Sequence, residues 1–510
     1  MAISGGTIVA VGHLGSADAR RIIDARDKVV SPGFVDMHSH SDFNLIVDPR
    51  AESKVRQGVT TEVVGQCGIS AAPMNSTGMS EARDRWPGVF DAEVEWSTMS
   101  QFLDLLASRG SAVNVAALVG HGNIRRLAMG EEDRCPTEVE LAEMKRLLIE
   151  ALNDGAFGMS TGLIYPPGVY SDLSELGELA SVLGQLGGIY VTHLRNERDQ
   201  LSDALGEALE VGRRGGCPVH ISHLKAFEEE NWGSISEALS AMVDARTRGV
   251  DVAGDQYPYT ASATGLRSRL PAWVHDGGKS EMLRRLGDES IRSDILAEWG
   301  DSVDWSDIVI ATVKMERNRD LEGLNISDIA SQRDVHPGEF VMDLLLDEAG
   351  ETNMIYHGIS AEDVRSVMAH PLVMIGSDGA ALSPEGVLGK GKPHPRSYGT
   401  FPRVLGKYVR DEGVMPLEWA IAKMTSWPAS RLGILDRGYL APGFRGDIVV
   451  FDPDAVEDRA TYAKPHQFPR GIDFVINNGA VSVDSGESTG VLAGEILRSD
   501  LREGDACRDA

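Results

Sequence analysis

The chain has 510 residues and a formal net charge of −28; 42% of its residues are hydrophobic and 25% are charged. This length and composition indicate a globular protein with one large domain or two to three smaller ones. The acidic balance disfavours nucleic acid and anionic membranes as partners, because both repel a negatively charged surface.

Targeting and disulfide signals are missing from the sequence. No stretch approaches the roughly 18 apolar residues of a membrane span, and the first residues lack a basic segment followed by an apolar one. The four cysteines are widely and irregularly spaced, which does not resemble a disulfide framework. We therefore expect a cytoplasmic protein.

Short strand-like runs occur near both ends of the chain. They lie within residues 3–30 and again within 446–483, where Asn478 and Gly479 form a strong hairpin signal. We predict one small β-sandwich domain built from residues 1–30 and 436–485. The remaining stretch, 486–510, is polar and charged, and we expect a tail with a disordered end.

Between the two ends, apolar strands alternate with helical stretches, as in βα units around a parallel sheet. Eight strands are predicted, at residues 33–40, 60–67, 113–121, 156–161, 189–193, 219–223, 250–257 and 373–377. They predict a (β/α)8 barrel over 31–262 and 350–435, with its active site at the carboxyl ends of the strands.

The segment between the seventh and eighth strands is too long for a single crossover. We interpret residues 263–349 as an inserted small α+β subdomain over the barrel mouth. It could act as a lid, as a wall of the substrate pocket, or as a passive insertion.

Residues that bind metals stand at the predicted strand ends. His38 and His40 are two positions apart, so on a strand they point to the same face. The later candidates are Cys67, His193, His223 and Asp378. Each alone has an ordinary structural explanation, but six at one barrel face predict a metal site. Thiolate and imidazole donors favour Zn²⁺ over Mg²⁺ or Ca²⁺.

Several motifs point to a known family. They are SPGFVDMHSH from Ser31, GQCG from Gly65, GLIYPPG from Gly162, HLRNE from His193, ISHLK from Ile221, DQYPYTA from Asp255, IGSDG from Ile375 and HPRSYGTFPR from His394. Together they resemble the amidohydrolase superfamily and, more narrowly, the D-aminoacylase (N-acyl-D-amino-acid deacylase) family. The cysteine after the second strand is the narrower signal, because many relatives bridge two metals with a carboxylated lysine instead.

The resemblance implies a distorted barrel with a β-sandwich from both chain ends, and zinc-dependent hydrolysis of N-acyl-D-amino acids. The ligands it implies are Cys67, His193 and His223 for a tightly held zinc, and His38, His40 and Asp378 for a second, weaker position. Members of the family usually begin with a further strand, so we expect a reduced amino-terminal edge of the small domain. The D-stereochemistry rests on the resemblance alone.

Two residues are candidates for the chemical step. Asp378 is the candidate general base, which would take a proton from the attacking water and deliver it to the leaving amine. Tyr165, in the loop after the fourth strand, could donate a hydrogen bond to the developing oxyanion. Alternatively, its ring packs on the neighbouring prolines.

Substrate recognition in so acidic a protein requires local cations. Arg396 and Lys225 are the candidates for the α-carboxylate of an N-acyl amino acid, since arginine can hold a carboxylate with two parallel hydrogen bonds. Arg267 and Arg269, where the insertion begins, would suit an acidic side chain such as that of D-Glu or D-Asp. Both could instead face solvent.

Three alternatives remain open from the sequence. A cyclic amide hydrolase of the dihydropyrimidinase type would need a bridging lysine, which is missing after the predicted fourth strand. A deacylase or peptidase acting on a specialised metabolite would share the same catalytic residues. A catalytically inactive structural or interaction protein is disfavoured by the intact set of ligands.

Overall fold

The structure is a computed structural model and describes residues 1–15, 18–85, 94–300 and 303–500. The strands of this part of the chain are β1 Ala2–Ser4, β2 Thr7–Ala10, β3 Val29–Pro32, β4 Phe34–Asp36, β5 Val59–Val64, β6 Asn114–Ala117, β7 Val119–Gly120, β8 Gly158–Gly162, β9 Ile189–His193, β10 Val219–Ile221, β11 Val252–Gln256, β12 Ala261–Gly265, β13 Ile308–Thr312, β14 Asn353–His357, β15 Val373–Ile375, β16 Ile448–Phe451, β17 Ile472–Asn477, β18 Ala480–Asp484 and β19 Glu487–Ser488.

The helices surround and connect these strands. They are α1 Asn44–Val47, α2 Glu52–Val55, α3 Ser76–Arg85, α4 Met99–Arg109, α5 His121–Met129, α6 Glu138–Asn153, α7 Leu173–Leu186, α8 Leu201–Gly215, α9 Ile235–Thr247, α10 Lys279–Leu286, α11 Glu289–Trp299, α12 Ile326–Arg333, α13 Pro337–Asp347, α14 Ala361–Ala369, α15 Arg396–Arg403, α16 Leu417–Met424 and α17 Ser426–Arg431. A π-helical turn, Val404–Asp411, continues α15.

The parallel strands form a closed ring. One group is ordered β4-β5-β6 and the other β7-β8-β9-β10-β11-β15, and β7 follows β6 after a single residue. A parallel bridge between Ser39 and Gly379, just beyond the ends of β4 and β15, joins the two remaining edges. Counting β6 and β7 as one strand, the ring confirms the predicted (β/α)8 barrel.

The outer helices show why the sequence folds in this way. In α7, Leu176, Leu179 and Leu183 recur at helical spacing and are fully buried against the barrel. Each such side chain contributes about 1.5–3 kcal/mol on burial. Asp172 caps the first turn by accepting a hydrogen bond from a backbone N–H, and Gly187 ends the helix in the left-handed conformation.

The small domain joins both ends of the described chain. Strands β19, β18, β17, β16 and β3 form one antiparallel sheet in that order, and β1 and β2 form a separate hairpin. In β16, Ile448 and Val450 belong to the core of the small domain, whereas Val449 and Phe451 pack into the barrel core. Asn478 and Gly479 turn between β17 and β18, where the sequence predicted a hairpin.

The insertion after the seventh barrel strand has its own antiparallel sheet, ordered β12-β14-β13. Helices α10 to α13 lie between its first and last strands in the sequence. Because β12 follows β11 closely, the insertion begins at the carboxyl end of the barrel, beside the predicted active site.

The segment that follows β19 runs along the opposite end of the barrel. The backbone of Val115 in β6 donates to Glu495 and accepts from Leu497, while Ser499 donates to Gly155 before β8. The end of the predicted tail, 501–510, lies outside the described residues. No helix in the described ranges is long and apolar enough to cross a bilayer.

Candidate metal centre

The six predicted metal ligands meet at the carboxyl ends of the barrel strands. Five of them are buried, whereas the side chain of His40 is 35% exposed. Within the described residues, three groups have ligand atoms within 4.8 Å of one another: Cys67 with His193 and His223, Cys67 with His38 and His40, and Asp378 with His38 and His223. The groups share members, so they form one continuous centre.

Cys67 lies at the middle of this centre. Its Sγ is 3.4 Å from Nε2 of His38 and 3.6 Å from Nε2 of His223. Burial opposes ionisation of the thiol, but His38, His193 and His223 outweigh it and hold the pKa of Cys67 well below its usual range. A thiolate surrounded by imidazoles is therefore available as a metal ligand.

His193 supplies the test of whether a metal fits. Both of its ring nitrogens are buried and make no hydrogen bond among the described residues, although buried polar groups nearly always have a partner. With Cys67 and His223, it gives two imidazole donors and one thiolate, which match the donor atoms of protein zinc sites. The donor set at this position fits a zinc ion.

Asp378 lies between the histidines and a buried arginine. Its Oδ1 is 3.0 Å from Nε2 of His40 and 3.6 Å from Nε2 of His38, while its Oδ2 accepts a 2.7 Å hydrogen bond from Arg396. Burial opposes its negative charge, but Arg396 and His38 outweigh burial and hold the pKa of Asp378 well below its usual range. Asp378 is thus an ionised proton acceptor beside the ligand cluster.

Three of these residues have a backbone conformation that is rare outside glycine. Cys67, His223 and Asp378 have φ angles of 53°, 34° and 49°. Each stands just after the end of its strand, and a left-handed residue there turns the chain sharply. The bend brings the side chain over the barrel mouth.

Asp255 orients two of the ligands from the side away from the centre. Its Oδ2 lies 3.3 Å from Nδ1 of His38 and 2.9 Å from Nε2 of His220, and its Oδ1 accepts from the backbone N–H of His223. A carboxylate on Nδ1 leaves Nε2 of His38 free to face a metal. This role of Asp255 was not predicted from the sequence, although a carboxylate within a buried strand is unusual.

Glu197 is a second carboxylate of this kind. Its Oε1 lies 3.1 Å from Nδ1 of His223 and 2.6 Å from Nζ of Lys225, and its Oε2 lies 3.7 Å from Nε2 of His193. Burial alone would raise the pKa of Glu197, but Lys225 and the two histidines lower it below its usual range. Sequence reasoning missed this residue as well, although it stands four positions after His193.

Both candidates for the substrate carboxylate are buried beside this centre. Lys225 Nζ is held by Glu197 and lies 5.9 Å from the ring centre of Tyr257. The Arg396 guanidinium lies 4.9 Å from the same ring and also donates to the carbonyl of Ala263 in β12. The hydroxyl of Tyr257 has no partner among the described residues, and both cations lie within 6 Å of its ring centre.

Tyr165 lies against the ligands, with its ring centre 5.2 Å from that of His193. Its hydroxyl is 2.9 Å from Oγ1 of Thr264 in the insertion. The tyrosine of the loop after the fourth predicted strand therefore packs against one of the predicted metal ligands.

The two arginines at the start of the insertion differ. Arg267 is exposed, whereas Arg269 is partly buried and lies 5.0 Å from the ring centre of Tyr356. Arg198, from the loop after β9, pairs with Glu228 at 3.0 Å, and Tyr356 donates to the same carboxylate. Burial, with Arg198 nearby, lowers the pKa of Arg269.

Comparison with known proteins identifies the family to which most of the chain is similar. Residues 21–483 match the model of the amidohydrolase family. An N-acyl-D-glutamate deacylase from Alcaligenes xylosoxydans xylosoxydans is 38% identical over 479 residues, covering 94% of this chain and 88% of the relative.

Two solved structures are similar over the same extent. An N-acyl-D-glutamate deacylase from Bordetella bronchiseptica, complexed with zinc and a phosphonate inhibitor, superimposes with a TM-score of 0.81 at 34% identity, covering 97% of this chain and 94% of the other. A D-aminoacylase described as having a binuclear metal centre, with one-metal activation and second-metal attenuation, gives a TM-score of 0.80 at 35% identity with the same coverage. The chain belongs to the amidohydrolase family.

Proposed function

We propose that this protein is a zinc-dependent deacylase that hydrolyses the amide bond of N-acyl-D-amino acids to a carboxylate and a free D-amino acid. The observation that carries the proposal is the buried centre in which Cys67, His193 and His223 lie beside Asp378 and Arg396. Relatives with 34–38% identity over nearly the whole chain are named as deacylases of this kind.

The centre divides into two metal positions. We assign the tightly bound zinc to Cys67, His193 and His223, and a second, weaker position to His38, His40 and Asp378. When bound, zinc supplies a Lewis acid that polarises the scissile carbonyl and makes water easier to deprotonate.

The protein's own groups move the proton and place the substrate. Asp378, ionised beside the ligands, takes the proton of the attacking water and delivers it to the leaving amine nitrogen. Tyr165 donates a hydrogen bond from its hydroxyl to the carbonyl oxygen that becomes negative. Burial raises the pKa of Tyr165, so the hydroxyl keeps its proton. Arg396 and Lys225 bind the α-carboxylate, with the free hydroxyl of Tyr257 as a third donor.

The insertion, residues 263–349 in the proposed domain division, closes this pocket on one side. Two residues at its start support a lid or wall role, because the carbonyl of Ala263 accepts from Arg396 and Thr264 binds Tyr165. The cytoplasmic location expected from the sequence stays a prediction.

The decisive experiment is a panel of N-acetyl D- and L-amino acids, run with and without added zinc. We expect turnover of the D-series only. Asp378→Asn should lower kcat by at least 100-fold, because it removes the proton acceptor. Wild-type activity in Asp378→Asn, or equal turnover of both series, would contradict the proposal.

The metal assignment has a matched control. Cys67→Ala should lose the tightly bound zinc, measured by elemental analysis after dialysis. Cys217 is also buried, but it belongs to none of the groups of closely spaced ligand atoms among the described residues. Cys217→Ala should therefore keep its zinc, and loss of zinc in both variants would point to general unfolding instead.

We further propose that the substrate side chain is acidic, with Arg269 as its partner. Arg269 is partly buried near Arg198, so two guanidiniums stand against the single carboxylate of Glu228. A carboxylate on the substrate would balance this charge.

The test compares N-acetyl-D-glutamate with N-acetyl-D-leucine. The wild type should prefer the glutamate compound, and Arg269→Met should lose at least tenfold in kcat/KM for it alone. The exposed neighbour provides the control, because Arg267→Met should change neither value. A clear preference of the wild type for leucine rules out the acidic side chain.

A cyclic amide hydrolase of the dihydropyrimidinase type is not favoured. The position where such an enzyme needs a bridging lysine is the end of β8, and this strand reads Gly158–Gly162 without a lysine. An inactive interaction protein is disfavoured by the complete ligand set.

A further inference from the structure

A fully buried lysine lies beneath the second metal position. The Nζ of Lys54, in the short helix α2, contacts Oδ2 of Asp36 at 2.7 Å, Oγ of Ser377 at 2.9 Å and Oε1 of Glu62 at 3.4 Å. It also donates to the carbonyl of Gly379 at 3.3 Å. Lys54, Asp36, Glu62 and Ser377 are all 0% exposed.

The charges of this cluster explain why a lysine is kept in the interior. Burial opposes the positive charge, but Asp36 and Glu62 outweigh it and raise the pKa of Lys54 above its usual value. A buried ammonium is tolerated only with such partners. The lysine is therefore a cation held by two carboxylates, and neither water nor substrate is needed to satisfy it.

The cluster joins two segments that carry proposed ligands. Asp36 ends β4 and accepts from the backbone N–H groups of His38 and Ser377. Ser377 donates to Asp36, and the Gly379 carbonyl accepts from Lys54. Ser377 and Gly379 are the residues immediately before and after Asp378 in the chain.

The neighbouring residue of α2 reinforces the connection. Ser53 accepts from the backbone of Leu382 and donates to the carbonyl of Ala380, further along the loop that carries Asp378. Helix α2 is thus bound to this loop through two consecutive side chains.

We propose that Lys54 is a positioning residue that fixes Asp378 relative to His38 and His40, and so sets the geometry of the second metal position. This inference rests on the proposed function for the identity of that position. Lys54 acts through Asp36, Ser377 and Gly379, and it touches neither substrate nor metal. We therefore expect that loss of Lys54 lowers the metal affinity of the second position and slows proton transfer by Asp378. The tightly bound metal should remain.

The test uses Lys54→Met combined with Glu62→Gln, which removes one positive and one negative charge and so preserves the net charge of the cluster. Metal-free protein is titrated with Co²⁺, whose visible absorption reports its ligands. The first equivalent should bind as in the wild type, and the second about 10–100-fold more weakly, as for losses of supporting contacts around metal sites. With substrate, kcat should fall at least tenfold while KM stays within about twofold.

Lys423→Met is the matched control. Lys423 is also 0% exposed, but its ammonium donates to the carbonyls of His370 and Val373 at the opposite end of the strand that leads to Asp378. It should keep both Co²⁺ affinities and kcat. A folded double variant with wild-type affinity for both equivalents and wild-type kcat overturns the proposal, as does an equal loss in Lys423→Met.

Two further outcomes are distinguishable. If the double variant does not fold, Ser377→Ala, which changes no charge and removes one contact of Lys54, should weaken the second equivalent about threefold; an unchanged affinity overturns the proposal. If the wild type binds two equivalents but hydrolyses no N-acyl-D-amino acid, the proposed function fails, and the Co²⁺ titration still decides the role of Lys54.

Discussion

At the scale of single residues, the side chains that support the ligands are as informative as the ligands themselves. Glu197 contacts His223, His193 and Lys225 at once. It therefore connects the proposed tight metal position to a proposed carboxylate-binding lysine. A single change at Glu197 should disturb both.

We predict that Glu197→Gln lowers zinc affinity about 10–100-fold, because the amide holds His223 less firmly than a carboxylate does. The measurement is a zinc competition titration with a chelator. Glu207→Gln is the control, since Glu207 pairs with Arg195 in the same loop and contacts no proposed ligand. Equal zinc affinity in the wild type and Glu197→Gln would contradict the prediction.

The residue types and strand-end positions of the six proposed ligands were enough to predict that these side chains lie together. Asp255 and Glu197 could not be assigned in the same way, because their roles depend on distances between strands that are far apart in the chain. Lys225 illustrates the limit. Its spacing placed it beside His223, but nothing in the sequence indicated that Glu197 would hold its ammonium.

At the scale of elements, the strands were predictable and their ends were not. All eight barrel strands follow from apolar runs, and α7 follows from its leucine spacing. The left-handed bends at Cys67, His223 and Asp378 have no signal in the sequence, since none of these residues is glycine. Tertiary contacts around the centre impose them.

Helix α16 offers a prediction at this scale. Lys423 on this helix donates to carbonyls at the end of α14 and the start of β15, and burial lowers its pKa from 10.5 to about 7. Between these values the unfolded chain binds more protons than the folded chain, so the contribution of Lys423 to stability rises with pH.

The measurement is chemical denaturation of the wild type and Lys423→Met at pH 6.5 and pH 9. The difference in the free energy of unfolding, wild type minus variant, should be larger at pH 9 than at pH 6.5. A difference that does not change with pH would show that the folded lysine titrates normally. Effects of other groups cancel in this comparison.

At the scale of the whole molecule, the chain closes on the barrel from both ends. The small domain unites β3 with strands from the other end of the sequence, as the sequence predicted. The segment after β19 then binds the end of the barrel opposite the metal centre, where Glu495 pairs with the buried Arg437. The polar composition of this segment gave no indication of that contact.

We predict that truncation after Ser488 lowers Tm by at least about 3 °C, because it removes backbone hydrogen bonds to β6 and one of the two carboxylates that pair with Arg437 at 2.7 Å. Calorimetry of the zinc-loaded protein measures this. Because the metal centre lies at the opposite end of the barrel, kcat of the truncated protein should stay within about twofold of the full chain. Loss of activity at unchanged Tm would contradict this division.

The bends at Cys67, His223 and Asp378 also link folding to zinc supply. A left-handed conformation at a residue other than glycine costs about 1–3 kcal/mol. Three such residues therefore lower the stability of the metal-free fold. A ligand that binds only the folded chain stabilises it by mass action, in proportion to the logarithm of its concentration. The lifetime of this protein in a cell would then follow free zinc, and chelation would remove the protein as well as its activity.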